Sequence, residues 1–307
     1  MHKTRGVFYV IFGTMLWGIS GAVAQYFFSN TNMQPFWLLA IRLVLAGLML
    51  LIWYAFSNGF TATFAIWKSK NFAIQMIAFS FLGVVPSELS YFMAIKYGNA
   101  ATATVLQFLG PLFIIIYLCL ANWQLPRRID AFSIFIALLG TFLLVTDGRI
   151  NSLSLSIPAF IWGVLAGVSQ ATYTLIPRNL MKKFDSRLVV GWAMLIGSLP
   201  FLGNLSPSNS PKITLEIVIG LAYIIIAGTM LAYLLYLKSI KYISPAATGM
   251  LSAFDPLTAT VLSIGLLGTP VTLIQIFGGT LILLTAFLQA LPNKFLINKY
   301  KKNDSNS

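Results

Sequence analysis

The sequence predicts an all-helical integral membrane protein of ten transmembrane helices, built as two inverted five-helix repeats with both termini in the cytoplasm. Three observations support this fold class. The chain is 58% hydrophobic and only 9% charged, its basic residues are distributed unevenly between alternate loops, and its two halves share a sequence pattern. A soluble domain carries about 25% charged residues, so a chain this apolar needs the bilayer as its solvent.

Ten apolar stretches are separated by short polar breaks, and most approach the ~20 residues that cross a bilayer. The first follows Lys3 and Arg5 and has features of a signal peptide, but it is too long for one, and we interpret it as an uncleaved helix. The seventh is short and contains Pro200, which predicts a tilted or broken helix. The predicted spans are 6–28, 36–56, 71–95, 99–121, 129–147, 158–177, 187–203, 213–237, 245–267 and 272–291.

The basic residues set the predicted orientation. With the N-terminus inside, sixteen lysines and arginines fall in cytoplasmic segments, three fall outside, and Arg42 lies within a span. This is the positive-inside distribution of a membrane protein. The net charge of +13 is therefore explained by topology, and we expect no nucleic-acid partner. The last residues, 292–307, are predicted to form a basic cytoplasmic tail.

An internal repeat joins residues 83–112 to residues 228–257 at a constant offset of 145. The two copies share a Lys-Tyr pair and a proline, which is Pro111 in the first copy and Pro256 in the second. Five spans per half is an odd number, so the second copy enters the membrane from the opposite side, as in many secondary transporters. The predicted domains are a first repeat at 6–147, a connecting loop at 148–157 and a second repeat at 158–291.

Three ionisable residues are predicted at membrane depth, where each costs ~2.5–3.5 kcal/mol on insertion scales and is a functional candidate. Arg42 and Glu88 fall at similar depth in the second and third spans, and they could form either a pair that fixes helix packing or a substrate clamp. Asp255 precedes Pro256, which is predicted to kink the ninth span as Pro111 kinks the fourth. The alternative for Asp255 is a cap-like bond to a neighbouring hydroxyl.

Aromatic and polar residues fall on helical faces near these charges. We single out Trp17, Tyr91, Gln107 and Tyr173 as substrate-binding candidates beside the three ionisable residues. A pocket with aromatic walls and a few charges suits an amphipathic or zwitterionic solute, and aromatic faces also hold cations. For each single aromatic residue the alternative is packing against lipid or another helix.

The sequence also argues against several classes of function. Its one histidine is terminal, its one cysteine, Cys119, lies in an apolar run, and it has no Walker A pattern. Histidine-based catalysis, a cysteine or histidine metal site and ATP hydrolysis are therefore not expected, and we predict neither a cofactor nor an enzyme.

Particular stretches resemble a known family. "GTMLWGISGAVAQYFF", "GNAATATVLQFLGPLFIIIYLCL" and "KYISPAATGMLSAFDPLTATVLSIGLLG" resemble helices of EamA domains in the drug/metabolite transporter superfamily. "NAATATVLQFL" and "VVGWAMLIG" are especially similar to the YicL-like bacterial inner-membrane transporters. The resemblance spans about residues 6–290. It implies two EamA domains and transport of small metabolites, often export. It also implies a central cavity lined by helices that carry Trp17, Glu88, Tyr91, Gln107, Tyr173 and Asp255.

The leading hypothesis is therefore a gradient-driven or facilitative transporter of small organic metabolites in the bacterial inner membrane, exporting by alternating access. Glu88 and Asp255 would sense a proton or cation, and Arg42 would act as partner or clamp. The expected partners are a small-molecule substrate and the lipid bilayer, and no oligomeric state is indicated. The alternatives are an importer of an organic cation such as a quaternary ammonium, a membrane-embedded enzyme, and a non-transporting receptor.

Overall fold

The computed structural model describes residues 2–121, 123, 125, 128–149, 154–206, 211–239, 242, 243, 248 and 251–289. Within this part of the chain the secondary structure is helical, with no strands. The predicted tail at 292–307 lies outside the described residues, and so does the start of the ninth predicted span. We define the first half of the chain as the residues up to 146 and the second half as those from 157 onward.

The helices follow the predicted spans, with interruptions inside several of them. In the first half they are α1 (His2–Asn30), α2 (Pro35–Asn58), α3 (Lys70–Phe79), α4 (Val85–Tyr97), α5 (Ala100–Gln107), α6 (Gly110–Ala121) and α7 (Arg128–Thr146). In the second half they are α8 (Ile157–Leu175), α9 (Arg178–Lys183), α10 (Ser186–Ser198), α11 (Leu215–Ala222), α12 (Ala232–Ser239), α13 (Phe254–Gly265) and α14 (Leu273–Gln289).

Two π-helical turns join separate helices into single spans. Ser80–Val84 joins α3 to α4, and Tyr223–Leu231 joins α11 to α12. The short seventh span is extended by a 3₁₀ turn at Leu199–Leu205, which contains Pro200. A helix broken at that proline agrees with the loss of an amide donor there.

Seven helical segments of the described residues are long and apolar enough to cross a membrane. Shorter apolar helices, Ala131–Thr146 and Leu273–Thr285, correspond to the fifth and tenth predicted spans. The seven long segments are Thr4–Asn30, Pro35–Asn58, Lys70–Tyr97, Ala100–Ala121, Ile157–Lys183, Ser186–Leu205 and Leu215–Tyr236.

The outer surface of the bundle is as apolar as its core. Large side chains are exposed along α7, where Phe135 is 62% and Leu138 is 60% accessible. The buried core nearby is built from the same residue types, including Leu38, Leu39 and Leu43. Contiguous exposed apolar surface of this kind needs a lipid environment, because water would drive it to associate.

The packing of helices is reciprocal between the two halves. In the first half, α1 packs on α12 and α13 of the second. In return, α8 of the second half packs on α4 and α5 of the first. The remaining large interfaces, α2 with α10 and α7 with α14, join the second span to the seventh and the fifth to the tenth. Exchanging the two halves reproduces this set of contacts, as expected for a two-fold repeat.

Glycines allow close approach at the two interfaces that join equivalent spans. A Cβ atom added at Gly140 of α7 would lie 2.6 Å from the carbonyl oxygen of Gly278 of α14, and the reverse distance is also 2.6 Å. A Cβ at Gly47 of α2 would lie 3.0 Å from the carbonyl oxygen of Gly191 of α10. Small residues let helices approach closely in membranes, so these crossings hold the two halves together.

Polar contacts group the helix ends at the side that the sequence predicts to be cytoplasmic. Arg187, at the start of α10, bonds Asp185 and donates to the hydroxyl of Ser57 at the end of α2. Lys238, at the end of α12, lies 5.0 Å from the ring of Tyr9 near the start of α1. Helix ends that carry basic residues therefore adjoin one another.

The opposite end of the bundle has its own polar contacts. Lys96 donates to the side-chain oxygen of Gln34 at 2.8 Å, which joins the end of α4 to the start of α2. The hydroxyl of Thr272, just before α14, donates to the carboxylate of Asp147, just after α7. In the predicted path of the chain, all four of these residues lie at the outer ends of their spans.

We expect Gly278→Ala to destabilise the bundle by about 1–3 kcal/mol, because the new methyl group would meet backbone atoms of α7 that cannot move aside. The matched control is Gly265→Ala, where an added Cβ has no atom within 4 Å. Thermal unfolding of the purified protein in detergent should give a lower Tm for the first variant only. Equal Tm values for the two variants would contradict a close crossing at Gly278.

Candidate functional site

Two charged side chains meet inside the bundle. Arg42 of α2 and Glu88 of α4 form an ion pair, with 3.0 Å between Nη1 of the arginine and Oε2 of the glutamate. Both residues are buried, at 4% and 8% exposure respectively. Charges at this depth are tolerated when they are paired, since leaving one uncompensated is strongly destabilising.

Arg42 also contacts the second half of the chain. Its Nε donates to the hydroxyl oxygen of Thr229 at 2.9 Å. Its guanidinium group lies 5.2 Å from the centre of the Phe92 ring, one helical turn after Glu88 on α4. The guanidinium is thus held by an acid, a hydroxyl and an aromatic face, and the hydroxyl joins it to the other half. Neither Thr229 nor Phe92 is among the site residues predicted from the sequence.

The π-helical turn Tyr223–Leu231 positions Thr229. Within this turn the Thr229 hydroxyl donates to the carbonyl oxygen of Ile224, five residues earlier, at 2.7 Å. The first half has its own π-helical turn, Ser80–Val84, shortly before Glu88, and the repeat offset of 145 superposes the two turns. Turns of this kind are rare and frequently occur at functional sites.

Aromatic side chains from four helices cluster beside the ion pair. The Trp17 ring of α1 lies 5.0 Å from that of Tyr233 and 5.3 Å from that of Tyr236, both on α12. Tyr173 of α8 lies 6.2 Å from Tyr233 and 5.3 Å from Phe79, as measured between ring centres. Trp17 and Tyr173 are sequence candidates. Tyr233 and Tyr236 are not, although the repeat offset pairs them with Glu88 and Tyr91.

Asp255 lies in the first turn of α13, immediately after a helix interruption at residues 252–253. Its Oδ1 atom is buried and has no hydrogen-bond partner in the part of the chain that the structure describes. The predicted cap-like bond to a hydroxyl is therefore not made by this oxygen. The backbone of Asp255 lies against Gly18, the residue that follows Trp17, and Asp255 therefore adjoins the same cluster.

Glycines of α1 bring this helix against the site. A Cβ atom added at Gly18 would lie 2.5 Å from the carbonyl oxygen of Asp255. One turn further along, the hydroxyl of Tyr91 lies directly against Gly21. Because neither position has room for a side chain, α1 lies close to both α4 and α13, and the neighbouring Trp17 packs on α12.

The two prolines mark equivalent helix interruptions. In the first half, α5 ends at Gln107 and α6 begins at Gly110, one residue before Pro111. In the second half, α13 begins two residues before Pro256. Gln107 is half-buried at the first interruption. Among the described residues, it makes none of the contacts that join the other six site candidates.

Gln25 closes the site toward the end of the bundle that carries Lys96. Its side-chain oxygen accepts hydrogen bonds from the Ala100 amide at 2.8 Å and from the Ser263 hydroxyl at 2.9 Å. Its side-chain amide donates to Thr269 at 2.8 Å. A single buried glutamine thus ties α1 to the start of α5 and to the end of α13, across the two halves.

The comparisons with known proteins agree with this architecture. The sequence model of the EamA-like transporter family matches residues 4–146 and 157–291. The uncharacterized inner membrane transporter YicL of Salmonella typhimurium is 36% identical over 296 residues, which covers 96% of this chain and 98% of YicL. The uncharacterized transporter YyaM of Bacillus subtilis is 24% identical over 251 residues, which covers 80% and 81% of the two chains.

A solved crystal structure has the same fold. It superposes with a TM-score of 0.62 at 17% sequence identity, and the match covers 97% of this chain and 99% of the other. The likeness therefore extends over both halves and the interface between them.

We expect Arg42→Gln and Glu88→Gln to destabilise the protein unequally. Glu88→Gln leaves a buried guanidinium that cannot lose its charge, whereas Arg42→Gln leaves a carboxylate that a proton can neutralise. Glu88→Gln should therefore lower the Tm more, by the equivalent of about 3–5 kcal/mol. The double variant should recover part of that loss. Additive losses in thermal unfolding would show that the two residues do not stabilise each other.

Proposed function

Because the chain belongs to the EamA-like transporter family, we propose that it is a secondary transporter of small organic metabolites, such as amino acids or related solutes. Transport would be gradient-driven or facilitative, by alternating access, with export as the direction. The observation that carries this proposal is the position of the Arg42–Glu88 pair, buried where the two halves meet and bonded to Thr229 of the second half. Secondary transporters bind their substrates at such repeat interfaces, near the bilayer midplane.

The proposed topology has ten spans in the bacterial inner membrane, inverted repeats at 6–147 and 158–291, and both termini in the cytoplasm. In this topology Arg187 and Lys238 lie at cytoplasmic helix ends, as the retention of basic residues on that side requires. The reciprocal packing of the helices supports the division into two repeats.

Alternating access requires the halves to move relative to each other, and the hydrogen bonds between them suit this requirement. Ser87 donates to the side-chain oxygen of Gln170 at 3.3 Å, and the Gln75 amide donates to the carbonyl oxygen of Ile176 at 2.7 Å. The Gln75 bond joins α3 to the residue after α8, and the Ser87 bond lies beside the acid of the ion pair. Movement of α8 away from α3 and α4 would break both bonds and leave the Gln25 contacts in place, and the converse movement would open the other side.

The ion pair gives the site a group that can respond to solute. Arg42 and Glu88 both belong to the first half, whereas Thr229 belongs to the second. A movement of the π-helical turn would therefore release one arginine hydrogen bond and keep the ion pair intact. Glu88 and Asp255 would sense the charge of a solute, a proton or a cation, and Arg42 would orient Glu88.

The proposal is tested by flux into liposomes that contain the purified full-length protein, with a library of small metabolites as solutes. We expect Glu88→Gln and Asp255→Asn each to lower the flux of a transported solute by about tenfold or more, since each removes a charge from the site. Glu216→Gln is the matched control, because this acid is exposed at the start of α11 and lies outside the site.

Flux that is unchanged in both site variants would contradict the proposed roles of the carboxylates. Flux that is absent for every solute, with protein that is folded by its Tm and its elution in gel filtration, would contradict the transport function itself. Wild-type flux should persist in the Glu216→Gln variant.

A further inference from the structure

The charges in the described part of the site do not balance. The site contains one cation, Arg42, and two acids, Glu88 and Asp255. With all three ionised, the site carries one uncompensated negative charge. An unbalanced charge in a buried site of low dielectric is costly, so Asp255 either takes up a proton or pairs with a positive charge from outside.

The positive charge of Arg42 is already neutralised by Glu88. Its guanidinium pairs with Glu88 at 3.0 Å, donates to Thr229 at 2.9 Å and lies over the Phe92 ring. A carboxylate on a solute would have to displace Glu88 and leave that acid unpaired, which costs about as much as the new pair returns. The site thus has no free cation for an anionic group.

Asp255 has the opposite character. Its Oδ1 atom is buried without a hydrogen-bond partner among the described residues, and it follows directly on the interruption before α13. Buried carboxylate oxygens are ordinarily paired, and an orphaned one marks a place where a ligand completes the arrangement. The group that completes it must donate a hydrogen bond or carry positive charge.

The surroundings of Asp255 suit a cation on an organic framework. The Asp255 backbone lies against Gly18 of α1. The ring of the adjacent Trp17 packs on that of Tyr233 at 5.0 Å. The Tyr91 hydroxyl lies against α1 one turn further along. Aromatic faces attract ammonium groups through the ring quadrupole and also bury the attached hydrocarbon. A hydrated metal ion would gain little from such walls, whereas an alkyl- or arylalkyl-ammonium ion uses both features.

We propose that the substrates of this site are organic monocations whose ammonium group pairs with Asp255, and not zwitterions or anions. This inference rests on the proposed transport function and restricts its substrates to cations, which removes the zwitterionic amino acids named there as examples. Recognition divides into two parts: Asp255 selects the charge, and the tyrosines and Trp17 accept the apolar remainder. The Arg42–Glu88 pair stays intact when the solute binds.

The test compares solutes that differ in charge at nearly constant shape. One set is phenethylammonium, phenethyl alcohol and phenylalanine, and the other is choline, its neutral carbon isostere and glycine betaine. Binding to the purified full-length protein is measured by thermal stabilisation, since a ligand that binds only the folded state raises the Tm. We expect at least one of the two cations to bind about thirtyfold or more tightly than its neutral and zwitterionic counterparts.

Variants of Asp255 test whether this residue causes the preference for cations over neutral and zwitterionic solutes. Asp255→Asn should bring the affinity for the cation down to that of the neutral solute, Asp255→Glu should retain the preference, and Glu216→Gln should leave it unchanged. If a neutral or zwitterionic solute binds the wild type as tightly as the cations do, or if neither cation binds, the proposal is overturned. An unchanged preference in Asp255→Asn, with the Tm showing a folded protein, also overturns it.

The binding measurements, taken together with the liposome flux assay, separate this inference from the transport function. Cation preference that depends on Asp255, without flux of the cation into liposomes, would support the charge selection and contradict transport. Flux of a zwitterion or an anion through liposomes, without cation preference, would support transport and contradict the inference.

Discussion

The rest of the structure depends on how one arginine is accommodated inside the bilayer. A guanidinium cannot lose its charge, so the fold must bring it an acid and further contacts at the same depth. Glu88 supplies the charge, Phe92 supplies an aromatic face, and Thr229 supplies a hydroxyl from the other half. Because the arginine and these groups come from three different spans, the arginine fixes how α2, α4 and the π-helical turn before α12 are placed relative to one another.

The scaffold around this arginine is symmetric, and its chemistry is not. Glycine crossings, π-helical turns and proline interruptions occur in both halves at equivalent places. The charged residues have no such equivalents, since Glu88 aligns with Tyr233 and Asp255 aligns with Gly110. The duplicated features serve packing and movement, which both halves need. The features that occur once give the site its charge and thereby its selectivity.

The sequence predicts the positions of the helices along the chain and the depth of their charges, because span length and polar breaks determine both. It predicts that Arg42 and Glu88 can meet for the same reason. It does not predict Thr229 or the contacts of Tyr233, since these depend on how each helix is rotated about its axis. The π-helical turn sets that rotation, and a turn of this kind has no clear composition of its own. The signal in the sequence that could have identified Tyr233 and Tyr236 is the repeat offset, because it pairs them with the site candidates Glu88 and Tyr91.

The most direct test of a site that alternates between two faces is the accessibility of a cysteine placed in it. In a Cys119→Ser background, a membrane-impermeant thiol reagent is applied from either side to Tyr91→Cys, with Lys96→Cys and Ala137→Cys as references. If the site alternates, Tyr91→Cys reacts from both faces, Lys96→Cys reacts from the outer face alone, and the fully buried Ala137→Cys reacts from neither. Reaction of Tyr91→Cys from one face only, or from neither, would contradict a transport site between the two halves.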